Sequence, residues 1–364
     1  MIKKWLKKML RSKRDSSLIT ISISRSSLLY NLDQFKSMNI VAPVLKSNAY
    51  EHGLIEVASI LENKVEFFII DSYFEAEALR NEDIKTPLLI IGYVKPENIN
   101  RNKLKNISFT ISSIEALESI QNETKIHLKI DTGMNRQGIL LEDIDKSFDL
   151  IKNNKNIVLD GICSHLADID HNGNVENQIN IWNNTVEKVK SEFPSIKYAH
   201  LSNTFGHNYS EKINANISRL GIGLYGLTGD LKPVLEMKTI ITGIKKIKRG
   251  ETVGYARTFT ATQDMIIATI PVGYYEGVDR GLSNKGFVKV SGIFCPIVGR
   301  VSMNITTIDV SEVPEIKIGD GVIVISRNKK DKNSIENMAK IIDETIPYEI
   351  VVHIPSQLRR VVVK

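Results

Sequence analysis

Lys46 closes the apolar run Ile40-Val-Ala-Pro-Val-Leu, and the chain then turns through Ser47, Asn48 and Gly53 into the helical pattern Leu54–Leu61. A lysine at the end of a buried strand is a candidate amine nucleophile of the kind that forms a Schiff base with a carbonyl cofactor; a solvated strand end is the ordinary alternative. Three more basic residues interrupt apolar strands: Lys129 inside Lys125–Asp131, His165 at the end of Ile157–His165, and Arg219 inside Ile217–Tyr225. Each has a structural reading as well. His165 could be a satisfied core histidine, Lys129 could pair with Asp131, and Arg219 could belong to a buried ion pair. Convergence of all of them on one strand-end surface favours a shared functional mouth. Ser202-Asn203-Thr204 ends one strand and Gly221-Ile222-Gly223 follows another. Bare amides and glycines at such places suit an anion, phosphate above all.

The elements that must carry these residues alternate. Strand candidates are Asn39–Lys46, Glu66–Asp71, Pro87–Gly92, Ile107–Ile111, Lys125–Asp131, Ile157–His165, Lys197–Asn203 and Ile217–Tyr225, with helical segments between them such as Tyr73–Arg80, Ser113–Ile120, Asp143–Lys152 and Val175–Glu192. Eight strand–helix units predict an α/β fold with a parallel (β/α)8 TIM-like barrel, an open doubly wound sheet being the competitor. After Lys232 short alternating runs punctuated by glycine predict a mostly antiparallel β domain interrupted by one helix, Ser334–Ile342, with Ser334 as N-cap. The expected organisation is a basic tail at 1–17, a barrel at 18–230 and a β domain at 231–364. The early strand Leu18–Ser24 is free to pair with the C-terminal domain instead of the barrel.

The chain has 364 residues, enough for two domains, and its 42% hydrophobic and 25% charged content is that of an ordinary globular protein. Two distant cysteines, Cys163 and Cys295, give neither a disulfide framework nor metal-ligand spacing, so no metal is expected and a reducing, cytoplasmic compartment is. The formal charge is +6, but residues 1–14 hold seven lysines and arginines and no acid, leaving the remainder at −1. The body therefore gives no case for binding nucleic acid. In the tail, Ile2, Trp5, Leu6, Met9 and Leu10 fall at helical spacing, which would allow contact with an anionic membrane surface; a disordered leader is the preferred reading.

At these residues the sequence resembles the alanine racemase family, enzymes that use pyridoxal 5′-phosphate. The resemblance runs through Val44-Leu-Lys-Ser-Asn-Ala-Tyr-Glu-His-Gly53, Lys129-Ile-Asp-Thr-Gly-Met-Asn-Arg-Gln-Gly138, Cys163-Ser-His-Leu-Ala-Asp168, His200-Leu-Ser-Asn-Thr204 and Arg219-Leu-Gly-Ile-Gly-Leu-Tyr-Gly226. It continues through Val253-Gly-Tyr-Ala-Arg257, Ile270-Pro-Val-Gly-Tyr-Tyr-Glu-Gly277 and Gly299-Arg-Val-Ser-Met-Asn304. It implies that Lys46 carries the cofactor and acts as the base on one face of the substrate α-carbon, with Tyr255 of a homodimer partner on the other. Tyr50, Asn203, Thr204, Gly221, Ile222 and Tyr225 are implied to hold the cofactor. Arg136 is implied to approach cofactor and substrate carboxylate, Lys129 to be carbamylated and orient Arg136, and His165 to link Arg219 to Tyr255. Met303 is implied to meet the substrate and Tyr274 to narrow the entrance. Arg219 facing the pyridine nitrogen sets this family apart from the related barrel decarboxylases, which use a carboxylate there, and speaks against a decarboxylase or aldolase.

The implied activity is racemisation of a small amino acid, L-alanine to D-alanine, the latter a peptidoglycan precursor in walled bacteria. Alternatives are a serine or broad-spectrum racemase and a non-catalytic cofactor-binding protein. Departures from the family pattern are Glu51 and Asn135 where glycine is usual, Gly254-Tyr255-Ala256 for Ser-Tyr-Gly, Asn304 for Asp, and the ending His353-Ile-Pro-Ser-Gln-Leu-Arg-Arg360. They bear on specificity and cofactor affinity more than on reaction type.

Overall fold

The computed structural model describes residues 17–36, 40–167, 174–343 and 345–364. The expectations for the basic tail, Ser17 apart, and for Asp168 lie outside the described residues. The chain divides into two compact units, one of residues 24–234, the other of the described residues up to Ile23 together with Leu235–Val363.

In chain order the first strand, β1 (Thr20–Ser24), is followed directly by α1 (Arg25–Asp33), whose N-cap Ser24 accepts from Ser27 N. Then come β2 (Ile40–Pro43), α2 (Leu54–Leu61), β3 (Phe68–Ile70), α3 (Tyr73–Asn81), β4 (Leu88–Ile90), α4 (Pro96–Asn100), β5 (Ile107–Ile111), α5 (Ile114–Glu118), β6 (Thr124–Lys129), α6 (Ile144–Asn153), β7 (Ile157–Cys163), α7 (Asn174–Glu192), β8 (Tyr198–His200) and β9 (Ile217–Leu220). Serines stop the chain from extending and start the helices: Ser72 and Glu75 form a capping box on α3, and Ser113 caps α5.

Strands β3 to β8 form one parallel sheet in sequence order, and β2 pairs in parallel with β9. Two seams close the ring. Leu45 N donates to Ile69 O at 2.7 Å beside the Val44–Ile69 bridge, and on the other side Asn216 N donates to Ala199 O and Arg219 N to Ser202 O, both at 3.1 Å. The eight strands thus make the expected barrel. Ala42, Val44, Phe67, Ile69, Leu89 and Ile217 pack together as buried core. Apart from β5, the strands are shorter than the runs that announced them. Lys46 stands three residues beyond the end of β2, and the expected strand to Tyr225 stops at Leu220.

The other unit contains β10 (Leu235–Ile240), β11 (Gly243–Ile247), β12 (Thr252–Val253), β13 (Phe259–Thr260), β14 (Met265–Ile270), β15 (Phe287–Val290), β16 (Ile293–Pro296), β17 (Thr306–Asp309), β18 (Gly321–Ile325), α8 (Ile335–Ile341), α9 (Pro347–Val352) and β19 (Arg360–Val363). A six-stranded sheet runs β16-β15-β18-β10-β1-β19, and a three-stranded sheet runs β11-β14-β17. β1 pairs antiparallel with β10, so the earliest strand belongs to this sheet. Ser334 caps α8 as expected. The expectation of a single helix here is corrected: α9 follows, six residues starting at Pro347, which reads as a breaker in sequence but is favoured in a first helical turn.

Candidate active site

The chain leaves β2 by an unusual route. Ser47, Asn48, Ala49, Tyr50 and Glu51 have φ of 55°, 53°, 55°, 52° and 58°, a left-handed turn built without glycine. Left-handed backbone costs L-residues about 1–2 kcal/mol each, so this turn stands only because its surroundings hold it. Asn48 Oδ1 accepts from Leu54 N at 2.8 Å and its Nδ2 donates to Glu51 Oε2 at 2.7 Å, while Ala49 is fully buried. Glu51, one of the departures from glycine, takes the backbone conformation that glycine would and is held there by Asn48. Lys46 and Tyr50 emerge from the two ends of this turn.

Tyr50 packs against Tyr225 with ring centroids 5.1 Å apart and the rings tilted by 36°, and a Cβ on Gly221 would lie 2.9 Å from Tyr50 Oη. Gly221 is therefore where a side chain would fill the space in front of the tyrosine. The amides of Gly221 and Ile222 make no hydrogen bond among the described residues, and Gly223 N donates to Thr204 Oγ1 at 3.2 Å. Asn203 Oδ1 accepts from the amides of Phe205 and Gly206, fixing the turn after β8. Next to it, the buried Ser202 Oγ has no partner among the described residues. Tyr225 requires a correction. It is fully buried and donates its hydroxyl to Val44 O at 2.8 Å, so it supports Tyr50 from behind instead of presenting a polar group to a ligand. Burial pushes its phenol well above the ordinary value.

Arg219 is buried and organises the middle of the mouth. Its Nη2 donates to His165 Nδ1 at 2.9 Å and to Leu201 O at 2.8 Å, and its Nη1 donates to His200 Nδ1 at 3.1 Å. Burial lowers its pKa, with Cys163 opposing and Arg136 adding to the effect. His165 is pushed down to about 3, by burial first and then by Arg219, Arg136, Lys129 and Lys46. The charges acting on this imidazole are all positive. A mouth with such a field suits a ligand carrying several negative charges. Gln178 on α7 holds the backbone behind His165: its Nε2 donates to His165 O at 2.7 Å and to Thr132 Oγ1 at 3.0 Å.

Lys129 donates to Gln137 Oε1 at 3.1 Å, and no ion pair with Asp131 forms. Burial lowers the Lys129 pKa most, with Cys163 and Asp131 opposing and Arg219 and Arg136 reinforcing. Asp131 Oδ1 instead gathers the amides of Gly133, Met134 and Asn135, a tight turn that presents Arg136 to solvent. Asn135, the second replacement of a usual glycine, has φ 53°, a conformation asparagine tolerates.

The remaining candidates line a cleft of about 690 Å³ in the C-terminal unit, which gathers Tyr255, Tyr274, Arg280, Arg300, Met303 and His353. Tyr255 and Met303 are 73% and 55% exposed, which leaves their faces open to a ligand or a second chain. Tyr274 N donates to Ser302 O at 3.0 Å and Tyr275 N to Met303 O at 2.9 Å, so the two segments are laced together. The buried Glu276 accepts from Gly273 N at 2.8 Å and from Asn304 Nδ2 at 2.7 Å. The Asn304 departure thus supplies a donor that an aspartate in its ionised form lacks. Ala256, the third departure from glycine, keeps a left-handed φ of 57°. Arg280, Arg300, His127 and His200 were not singled out as site residues by the sequence. Among the described residues no group of three or more His, Cys, Asp or Glu could hold a metal, and no helix is long and apolar enough to cross a membrane.

Comparison with known proteins covers the whole of this architecture. The family described as alanine racemase, N-terminal domain, matches residues 23–229, and that described as alanine racemase, C-terminal domain, matches residues 234–362. An alanine racemase of Fusobacterium nucleatum is 34% identical over 94% of this chain and 99% of its own. A solved alanine racemase of Clostridium difficile superposes with a TM-score of 0.88 at 28% identity, covering 96% of this chain and 97% of that one. The alanine racemase of Bacillus anthracis with bound L-Ala-P superposes with a TM-score of 0.87 at 26% identity over 96% of each chain.

Proposed function

The chain belongs to the alanine racemase family, and from that premise we propose that it interconverts L- and D-alanine with pyridoxal 5′-phosphate as cofactor. The observation that carries this reading is the barrel mouth, where Lys46, Lys129, Arg136 and Arg219 act together on His165. Fit to the cofactor rests on three features. The free amides of Gly221 and Ile222 with Thr204 are donors for a phosphate, the space in front of Tyr50 is one a Cβ at Gly221 would fill, and the Ser202 hydroxyl lacks a partner. When bound, the cofactor supplies an aldehyde that links to the substrate amine and draws electrons from the α-carbon.

The side chains divide the rest of the work. Lys46 holds the cofactor and moves a proton on one face of the α-carbon. The partner subunit's Tyr255 moves one on the opposite face, since inversion needs two groups on two sides. Because Arg219 can only donate, His165 Nδ1 is the acceptor of that bond and His165 Nε2 carries the proton, available to a tyrosine oxygen. Arg219, which can only donate, would leave a pyridine nitrogen placed against it without a proton of its own, and would so favour return of the proton to the α-carbon over side reactions. Arg136 binds the substrate carboxylate, and Lys129, with its lowered pKa, is suited to carbamylation that would turn it into an anion beside Arg136. Met303 and Tyr274 of a partner would complete the site, making the enzyme a homodimer.

The test is an absorbance spectrum of purified protein followed by deuterium wash-in at the α-carbon of L-alanine and L-serine. A cofactor band with exchange and D-product is expected, faster with alanine. Tyr255→Phe should retain the band and lose racemisation by at least about a hundredfold. Undiminished turnover in that variant would refute the two-base assignment.

A further inference from the structure

The bond between Arg219 and His200 does not end the hydrogen-bond chain. His200 Nε2 lies 2.8 Å from His127 Nδ1, deeper in the barrel. The direction of every bond in the chain is set by the arginine. A guanidinium has no acceptor, so His200 Nδ1 must be bare; a neutral His200 then carries its proton on Nε2 and donates it to a bare His127 Nδ1. Burial keeps both rings neutral, His127 being pushed down to about 4 and His200 well below its ordinary value.

His127 is placed with some effort. It stands on β6 two residues before Lys129, on the same face of the strand. The pairing of β6 with β7 slips there: Ile126 opposes Leu159 but His127 opposes Gly161, which leaves Asp160 as the extra residue of a bulge. A Cβ on Gly161 would lie 2.6 Å from His127 Nδ1, so only glycine admits the ring. Tyr198 stacks on His127 at an interplanar angle of 17°, and Phe67 meets it edge-on at 5.9 Å.

We propose that His127 is a positioning residue for the reaction: by accepting from His200 it holds His200 in the one tautomer that can receive Arg219, and so fixes the arginine that would face the cofactor ring. Without an acceptor at that point, the His200 Nε2–H is orphaned in an apolar interior. The other tautomer then competes, and it turns an N–H toward the N–H of Arg219. The catalytic meaning of this rests on the racemase reading; the tautomer assignment does not.

The experiment compares the holoenzyme with His127→Asn, whose side-chain oxygen can take the place of Nδ1, and His127→Leu, which has no acceptor. Nitrogen-15 NMR of histidine-labelled protein reads the His200 tautomer. The absorbance of the bound cofactor and the ratio of transamination to racemisation of alanine read the setting of Arg219. In wild type and His127→Asn, His200 is protonated on Nε2 and the ratio is unchanged. In His127→Leu both tautomers appear and the ratio rises about tenfold. A wild-type His200 protonated on Nδ1 overturns the proposal even if the leucine variant does not fold. So does a folded His127→Leu protein with unchanged tautomer and ratio. A wild type with the expected tautomer but no racemase activity would overturn the functional reading and leave the tautomer assignment standing.

Discussion

Mild acid should destabilise the barrel unit through its buried histidines. His127 is held near pKa 4 and His165 near 3, against about 6.5 in an unfolded chain. Both folded values lie below the unfolded one, so the unfolded state binds more protons in the interval between them. Their contribution is intact above pH 6.5 and is lost as the pH falls. Integrating from pH 7 to pH 5 gives a loss of about 2 kcal/mol for each ring, or about 4 kcal/mol for the two. That is a large part of the roughly 5–15 kcal/mol that separates folded from unfolded domains. Carboxylates, with ordinary values near 4, gain few protons above pH 5, so the window isolates the imidazoles. Urea unfolding followed by circular dichroism at pH 7, 6 and 5 measures the loss directly. His200 and His207, also held below their ordinary values, add to the loss, so His127→Asn should lessen it by about 2 kcal/mol without abolishing it. A wild-type midpoint that does not move between pH 7 and 5 would refute the reasoning, as would an asparagine variant that loses as much as wild type.

Two further outcomes are expected. Gly221→Ala sets a methyl 2.9 Å from Tyr50 Oη in the space assigned to the cofactor, and should weaken pyridoxal phosphate binding by about tenfold or more in an absorbance titration of the apoprotein. Ala256→Gly relieves a left-handed φ of 57° and should raise stability by about 1 kcal/mol in urea unfolding, glycine's larger unfolded-state entropy offsetting part of the gain.

The barrel was legible because parallel strands buried on both faces read as apolar runs, and every candidate run for it overlaps a strand. Their ends were not, because Leu45 lies past the end of β2 with only its amide bonded to β3, and the residues after Leu220 are apolar without being paired strand. A turn after Lys46 was legible in Ser47 and Asn48, but not its left-handed backbone over five residues, since Ser, Asn, Ala, Tyr and Glu include no glycine. Lys129, His165 and Arg219 were found because charge in an apolar strand is visible, and the structure links Arg219 to His165 by a hydrogen bond and to Lys129 through their charges. His127 carried the same signal, a histidine two residues before Lys129 in the same strand, but it lies below the strand end where attention falls. Tyr225 was misplaced because the sequence gives no sign that its hydroxyl reaches back to Val44.

The pairing of β1 with β10 also has a consequence for synthesis. β1 is among the first described segments to leave the ribosome, yet its partner is not made until residues 25–234 have been added. At about 5–20 residues per second that interval lasts on the order of ten to forty seconds. During it Ile19, Ile21 and Ile23, all buried in the finished sheet, have no sheet to enter. The barrel segments can form while the strand waits, but the sheet cannot be completed before β19, residues 360–363, has been made. Slowed elongation late in the message should therefore raise the demand for chaperones, and a gene split after residue 234 would strand β1 on the wrong polypeptide.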